Sequence, residues 1–275
     1  MSQKLLIILL LLTSMQAWAQ NVLTREANGL GDSLQISCQR MGVCGPGYAG
    51  KGETWDFSSV DYSKQPYDIL LTKDSLSHYH KIEGMAKYSY VMKADTLEQY
   101  KFEDRLTKIR YFKKKLAMRY PFQYGDSISS LFEGYGKYCG DHLIRVKGQV
   151  VAQADGTGKL ILSERDTLNN VLRVYTLTTT AMAMNIGRVR IDSTNLKQEI
   201  EEKYEWYGRG FRYPLYTIIQ KTSFTNLEPV GSTILAYRIL PEDLASVKDA
   251  PNDSIRNSDA SHNNTENTTD KDIFH

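Results

Sequence analysis

The feature that most constrains this chain is a period-two alternation of β-branched and aromatic residues, repeated along the sequence with turn residues between the runs. In Ala86-Lys87-Tyr88-Ser89-Tyr90-Val91-Met92, the side chains of Tyr88, Tyr90 and Met92 fall on one face of an extended strand. Over residues 171–178, Val171, Arg173, Tyr175 and Leu177 share one face and Leu172, Val174 and Thr176 the other. Residues 106–112 alternate more loosely but have high strand propensity. Helical stripes are scarce. The pattern predicts an all-β fold, an antiparallel β-sandwich or open barrel with few short helices, in one unit or in two lobes dividing near residue 125.

Local signals refine this reading. Asp155-Gly156-Thr157-Gly158 tolerates positive φ, so residues 150–154 and 159–162 are expected to form a tight hairpin, with 171–178 pairing against 159–162. Lys113-Lys114-Lys115 reads as a solvated turn between two strands. Residues 195–204 carry mixed signals: Leu196, Ile200 and Tyr204 recur every four residues, which fits a short helix or a long charged strand.

At the N-terminus, Lys4 precedes an apolar run from Leu5 to Leu12, and Ala17-Trp18-Ala19 places small residues where a signal peptidase reads. Residues 1–19 are therefore expected to be a signal peptide, with a β-rich domain over 20–245. Export to the periplasm, the cell surface or the medium follows. No later stretch approaches the roughly 20 apolar residues of a membrane-spanning helix, so no membrane span is expected after signal removal. Loss of Lys4 leaves 33 basic residues against 32 acidic ones, which offers no electrostatic footprint for nucleic acid. From 246 to 275 the chain lacks apolar periodicity and reads as a disordered tail.

Export makes the cysteines candidates for oxidation. Cys38 and Cys44 are close enough in sequence to close a small loop, a disulfide candidate, while Cys139 reads as a buried small hydrophobe or a thiol available to another chain. The cysteine spacings offer too few ligands for zinc, and no metal is expected.

Gly47-Tyr48-Ala49-Gly50-Lys51-Gly52-Glu53-Thr54-Trp55-Asp56-Phe57-Ser58 resembles a segment of exported Bacteroidetes proteins in which paired glycines precede a Trp-Asp-Phe-Ser block. The resemblance continues through residues 154–162 with Asn170-Val171-Leu172-Arg173-Val174, and at Tyr204-Glu205-Trp206-Tyr207 with Arg212-Tyr213-Pro214-Leu215. Ser163 departs from it, standing where the pattern has proline, as does the Cys38 and Cys44 pair. What the resemblance implies is an exported β-rich protein, with no catalytic residues to carry over.

Chemistry-bearing motifs are sparse, and no cofactor is implied. Gly45-Pro46-Gly47-Tyr48-Ala49-Gly50-Lys51 has the spacing of a phosphate loop, but Gly52 replaces the magnesium-binding hydroxyl, so a glycine-rich connection is the expectation. His78 and His80 would share a strand face; a zinc site would also need His142, which nothing in the sequence brings near. No Gly-x-Ser-x-Gly elbow occurs. Trp206, Tyr207, Arg209 and Tyr213 lie in an aromatic cluster that reads either as sandwich core or as a binding platform for sugar or peptide.

Asp followed by Ser or Thr and then an aliphatic residue or Thr occurs seven times, against about one expected from composition. It resembles an O-glycosylation acceptor motif of exported Bacteroidetes proteins, which makes Ser33, Ser75, Thr96, Ser127, Thr167, Ser193 and Ser254 candidate sites. The same pattern also suits turn entry. Together these features predict a non-enzymatic envelope or surface module that binds a glycan, a peptide or an envelope protein. The alternative is a secreted hydrolase whose site forms only in the fold.

Overall fold

The computed structural model describes residues 21–75, 77–185 and 196–269. The strands run β1 (Leu34–Met41), β2 (Gly50–Asp56), β3 (Tyr62–Lys73), β4 (His78–Glu83), β5 (Ala86–Lys93), β6 (Thr96–Glu103) and β7 (Thr107–Arg119). They continue as β8 (Ser127–Tyr138), β9 (His142–Ile161), β10 (Thr167–Asn185), β11 (Leu196–Tyr207), β12 (Tyr216–Thr225) and β13 (Glu228–Arg238). Helices are α1 (Arg25–Asn28), α2 (Pro241–Ser246) and α3 (Ala250–Thr269).

β1 and β3 to β13 form one antiparallel sheet of 12 strands that closes into a barrel. Closure joins β13 to β1, Gln39 opposite Arg238. Strand alternation builds the wall: along β9, Ile144, Val146, Val150 and Ala152 are buried, while Arg145, Lys147, Gln149 and Gln153 face solvent. β7 pairs with β8 from Thr107 opposite Tyr138 to Lys113 opposite Glu133.

The predicted hairpin at Asp155-Gly156 is not formed. β9 runs straight through it, and residues 171–178 pair mainly with 150–158, Val171 opposite Gly158 and Thr178 opposite Val150. The glycines serve close approach instead. β2 lies parallel to the end of β9, on the edge that β8 leaves beyond Gln153. A Cβ on Gly158 would sit 1.9 Å from the Glu53 carbonyl oxygen, and one on Gly156 would sit 2.8 Å from Cζ2 of Trp55.

Other expectations are also corrected. Lys113, Lys114 and Lys115 lie within β7, because a local irregularity against β8 lets a charged run continue as strand. Of the two readings left open for residues 195–204 the strand holds: residues 196–207 are extended, which puts Lys197, Glu199, Glu201, Lys203 and Glu205 on one face. The segment read as a tail is helical over Ala250–Thr269 and docks on the body: Asn252 is buried, its Nδ2 donating to the Ala27 carbonyl at 2.8 Å. Asp249 holds Arg212 at 2.6 and 2.7 Å, and Asp259 holds Arg209 at 3.0 Å. Composition missed this because the contacts are polar. Residues 1–20 and 270–275 lie outside the described residues.

One end of the barrel is sealed. Leu23, Tyr120, Phe122, Leu172, Val174 and Tyr207 pack there, Leu23 bridging to Phe122 and Asn21 Nδ2 donating to the Tyr207 carbonyl at 2.7 Å. At the other end lie the β6–β7, β8–β9 and β12–β13 turns.

Candidate binding lumen

A closed sheet of this many strands is wider than the eight-stranded barrels that side chains just fill, so its interior holds space. Inward positions here carry charge. Lys81 pairs with Glu83 at 2.7 Å along β4, and Lys203 pairs with Glu205 at 2.9 Å along β11. Lys221 of β12 reaches Glu201 at 2.7 Å and Glu199 at 3.9 Å. Tyr67 donates to Glu83 at 3.0 Å. A period of two puts the members of each Lys-x-Glu on one face, so Lys81-Ile82-Glu83 and Lys203-Tyr204-Glu205 were the sequence signal for a polar interior.

A cavity of about 400 Å³ occupies the half of the lumen away from the seal. Phe102, Ile109, Val146 and Met182 form an apolar wall; Lys197, Glu199, Glu201 and Lys221, from β11 and β12, form a charged one. A deeper cavity of about 260 Å³ shares Tyr88, Gln99, Lys115, Thr178, Glu201 and Lys221 with the first, so the two adjoin. A separate hollow of about 560 Å³ lies against the outer wall at Leu131, Gln149, Ala181 and Ile200. We take the lumen as the site because its polar groups converge and its walls differ in character.

The electrostatics of the lumen fix protonation states. Burial works against charge on Glu201, but Lys115, Lys221 and Lys203 outweigh it and hold the carboxyl at about 2. Glu83 is likewise held below its ordinary range, burial being outweighed by Lys81 and the Tyr67 hydroxyl. Burial lowers the Lys115 ammonium, an effect that Glu201 partly offsets. Glycoside hydrolysis by paired acids needs one carboxyl protonated at working pH, and Glu201, held ionised, does not serve as that acid.

The aromatic cluster takes the core option. Trp206 is fully buried, and Tyr207 and Tyr213 are buried too, so none presents a ring to solvent. For Trp206 the reason is tertiary: β2 and its flanking loops lie over the outer face of β11 and β12, whereas Tyr207 packs inside the sealed end. Trp55 and Phe57 meet Trp206 edge-on, at 6.1 and 5.2 Å between centroids, and Phe57 stacks on Tyr216 at 4.0 Å. Arg209 is engaged by Asp259 of α3.

The Gly45–Lys51 loop cradles a cation. The carbonyls of Pro46 and Gly47 accept from Arg173 at 2.8 and 3.2 Å, so the loop turns its oxygens inward, the reverse of a phosphate nest. Cys38 and Cys44 are free thiols and not a disulfide. β1 holds Cys38 in the barrel wall through Met41, and the chain then carries Cys44 to the Tyr216 hydroxyl, 3.3 Å away. Cys139, read as either a buried small hydrophobe or an available thiol, is exposed in the β8–β9 turn at a φ of +47°.

His78 and His80 stand near the sealed end and His142 at the other end, which separates the three. His80 Nε2 lies 2.5 Å from Asp74 Oδ2, and its Nδ1 lies 2.9 Å from Ser89 Oγ. That alignment has the elements of a nucleophilic triad, but Ser89 is 1% exposed and no substrate carbonyl can reach its oxygen. Among the described residues no cluster of His, Cys, Asp or Glu could hold a metal ion, and no helix is long and apolar enough to cross a membrane.

Ser33, Ser75, Thr96, Ser127 and Thr167 all fall in turns or strand starts at the sealed end, where their aspartates work as turn groups: Asp32 pairs with Lys73 at 2.8 Å, and Asp126 accepts from the Gln123 amide at 3.0 Å. Ser254 is exposed on α3, and Ser193 lies outside the described residues. No family model, curated protein or solved structure matches this chain.

Proposed function

We propose that this protein is an exported, non-catalytic binding module whose barrel lumen holds a small molecule. The observation that carries this reading is the lumen cavity in which a wall of Phe102, Ile109, Val146 and Met182 faces one of paired charges. Apolar surface supplies affinity and a few placed polar groups supply orientation, the division of labour of small-molecule sites. The signal segment accounts for export, and the turn-borne Asp-Ser/Thr motifs offer exposed acceptors for modification in that compartment.

The test is a thermal-shift screen of the mature protein against amphipathic small molecules, repeated on Thr180→Trp, which fills the lumen near its apolar wall. Compounds that raise the Tm of the wild type should leave the folded Thr180→Trp variant unmoved. Equal shifts in both proteins would place binding outside the lumen and overturn the reading.

A further inference from the structure

We infer that the lumen selects an amphipathic carboxylate that enters head first, its anion meeting Lys115 and its apolar body lying along Phe102, Ile109, Val146 and Met182. The inference rests on the reading of the lumen as the binding site and adds the chemical class of its ligand.

The argument begins with charge. Four lysines line the deeper cavity: Lys81, Lys115, Lys203 and Lys221. Three have carboxylate partners, at 2.7 Å for Lys81, 2.9 Å for Lys203 and 2.7 Å for Lys221. Lys115 has none within 4.0 Å among the described residues, and its ammonium lies 5.5 Å from the centroid of the Phe132 ring. The nearby carboxylate, Glu201, makes its direct ion pair with Lys221, at 2.7 Å. A buried cation with no carboxylate in contact, facing a cavity, is a costly arrangement that an incoming anion relieves.

Depth then orients the ligand. Lys115 sits opposite Gln99, and Thr178 opposite Val150, which places the polar groups toward the middle of the barrel. Phe102 pairs with Ile109, and Val146 with Met182, nearer the turns of the unsealed end. A ligand entering there passes the apolar wall last with its tail and first with its head. The polar face of β11 and β12 leaves one flank wet, which suits a single chain or a flat ring system better than a bulky hydrocarbon.

The test uses calorimetric titration with dodecanoate, dodecanol and dodecylamine, all below their aggregation concentrations, on wild type, Lys115→Met and Thr180→Trp. The wild type should bind dodecanoate about tenfold or more tighter than dodecanol, and dodecylamine weakest. Lys115→Met, checked for folding by circular dichroism, should bring dodecanoate down to the level of dodecanol and leave dodecanol unchanged. Equal wild-type affinities for dodecanoate and dodecanol, both lost in Thr180→Trp, would overturn the carboxylate inference while leaving lumen binding intact. A preference that survives Lys115→Met overturns it as well. Failure of all three probes overturns the inference, and the wider screen then decides the lumen.

Discussion

The guanidinium of Arg173 grips both oxygens of Asp155, Nε to Oδ1 and Nη2 to Oδ2, each at 2.8 Å. Its remaining nitrogen holds the carbonyls of Pro46 and Gly47, and its plane lies 5.5 to 5.9 Å from the ring centroids of Trp55, Tyr204 and Trp206. Segments far apart in sequence meet at this one cation, which pins β2 and its loop to the barrel wall. Arg173 is 2% exposed, so truncating it strands Asp155 and two carbonyls. Arg173→Ala should cost about 3 to 5 kcal/mol in denaturant unfolding. Arg173→Lys should cost nearly as much, because an ammonium cannot reproduce the two-pronged contact. A loss below about 1 kcal/mol in either variant would show that β2 is held by its apolar contacts alone.

Gly158 offers an independent check on β2. Its substitution by Ala drives a methyl into the Glu53 backbone, which strand rigidity cannot absorb. Gly158→Ala should lose about 2 to 3 kcal/mol and shift the emission of Trp55 and Trp206. Gly52→Ala meets no atom within 4 Å and bears only the strain of a φ of +73°, so about 1 kcal/mol is expected. Matching losses at the two positions would mean that the β2–β9 contact is looser than described.

The three thiols should separate by reactivity. Burial pushes the Cys38 thiol up to about 12, so at neutral pH it is both protonated and shielded. Cys139 is exposed. Maleimide on the native protein should modify Cys139 within minutes, Cys44 more slowly and Cys38 only after unfolding, with three free thiols counted in denaturant. A count of one would restore the Cys38 and Cys44 disulfide.

Acid should act through Glu201. Its carboxyl falls from an ordinary 4.5 to about 2 in the folded protein. A group depressed on folding contributes stability that is complete above the unfolded value and is lost as pH falls through the folded one. The contribution is on the order of 3 kcal/mol, disappearing between about pH 4.5 and 2. Other carboxylates titrate in the same window, so the comparison is with Glu201→Gln: the gap in unfolding free energy between the two proteins should be widest near pH 6 and close by pH 2. A gap independent of pH would mean that Glu201 is not held ionised by its lysines.

Alternation along residues 86–92 and 171–178 determined that the chain forms strands, because side-chain direction in an extended chain depends on nothing beyond its neighbours. It determined the faces as well: Tyr88 and Tyr90 point together, as do Lys81 and Glu83. The acidic turns before β1, β6, β8 and β10 were legible for the same local reason. Asp155-Gly156 was not, since a glycine lends itself equally to positive φ and to close packing, and only the arrival of β2 decides which is used. Nor could the sequence say that Trp206 is covered, that Lys115 turns into a cavity, or that α3 docks through Asn252. Each depends on a partner at large sequence separation, up to the 225 residues between Asn252 and Ala27. Strand formation is local physics; closure of β13 on β1, and with it the lumen, belongs to the tertiary structure alone.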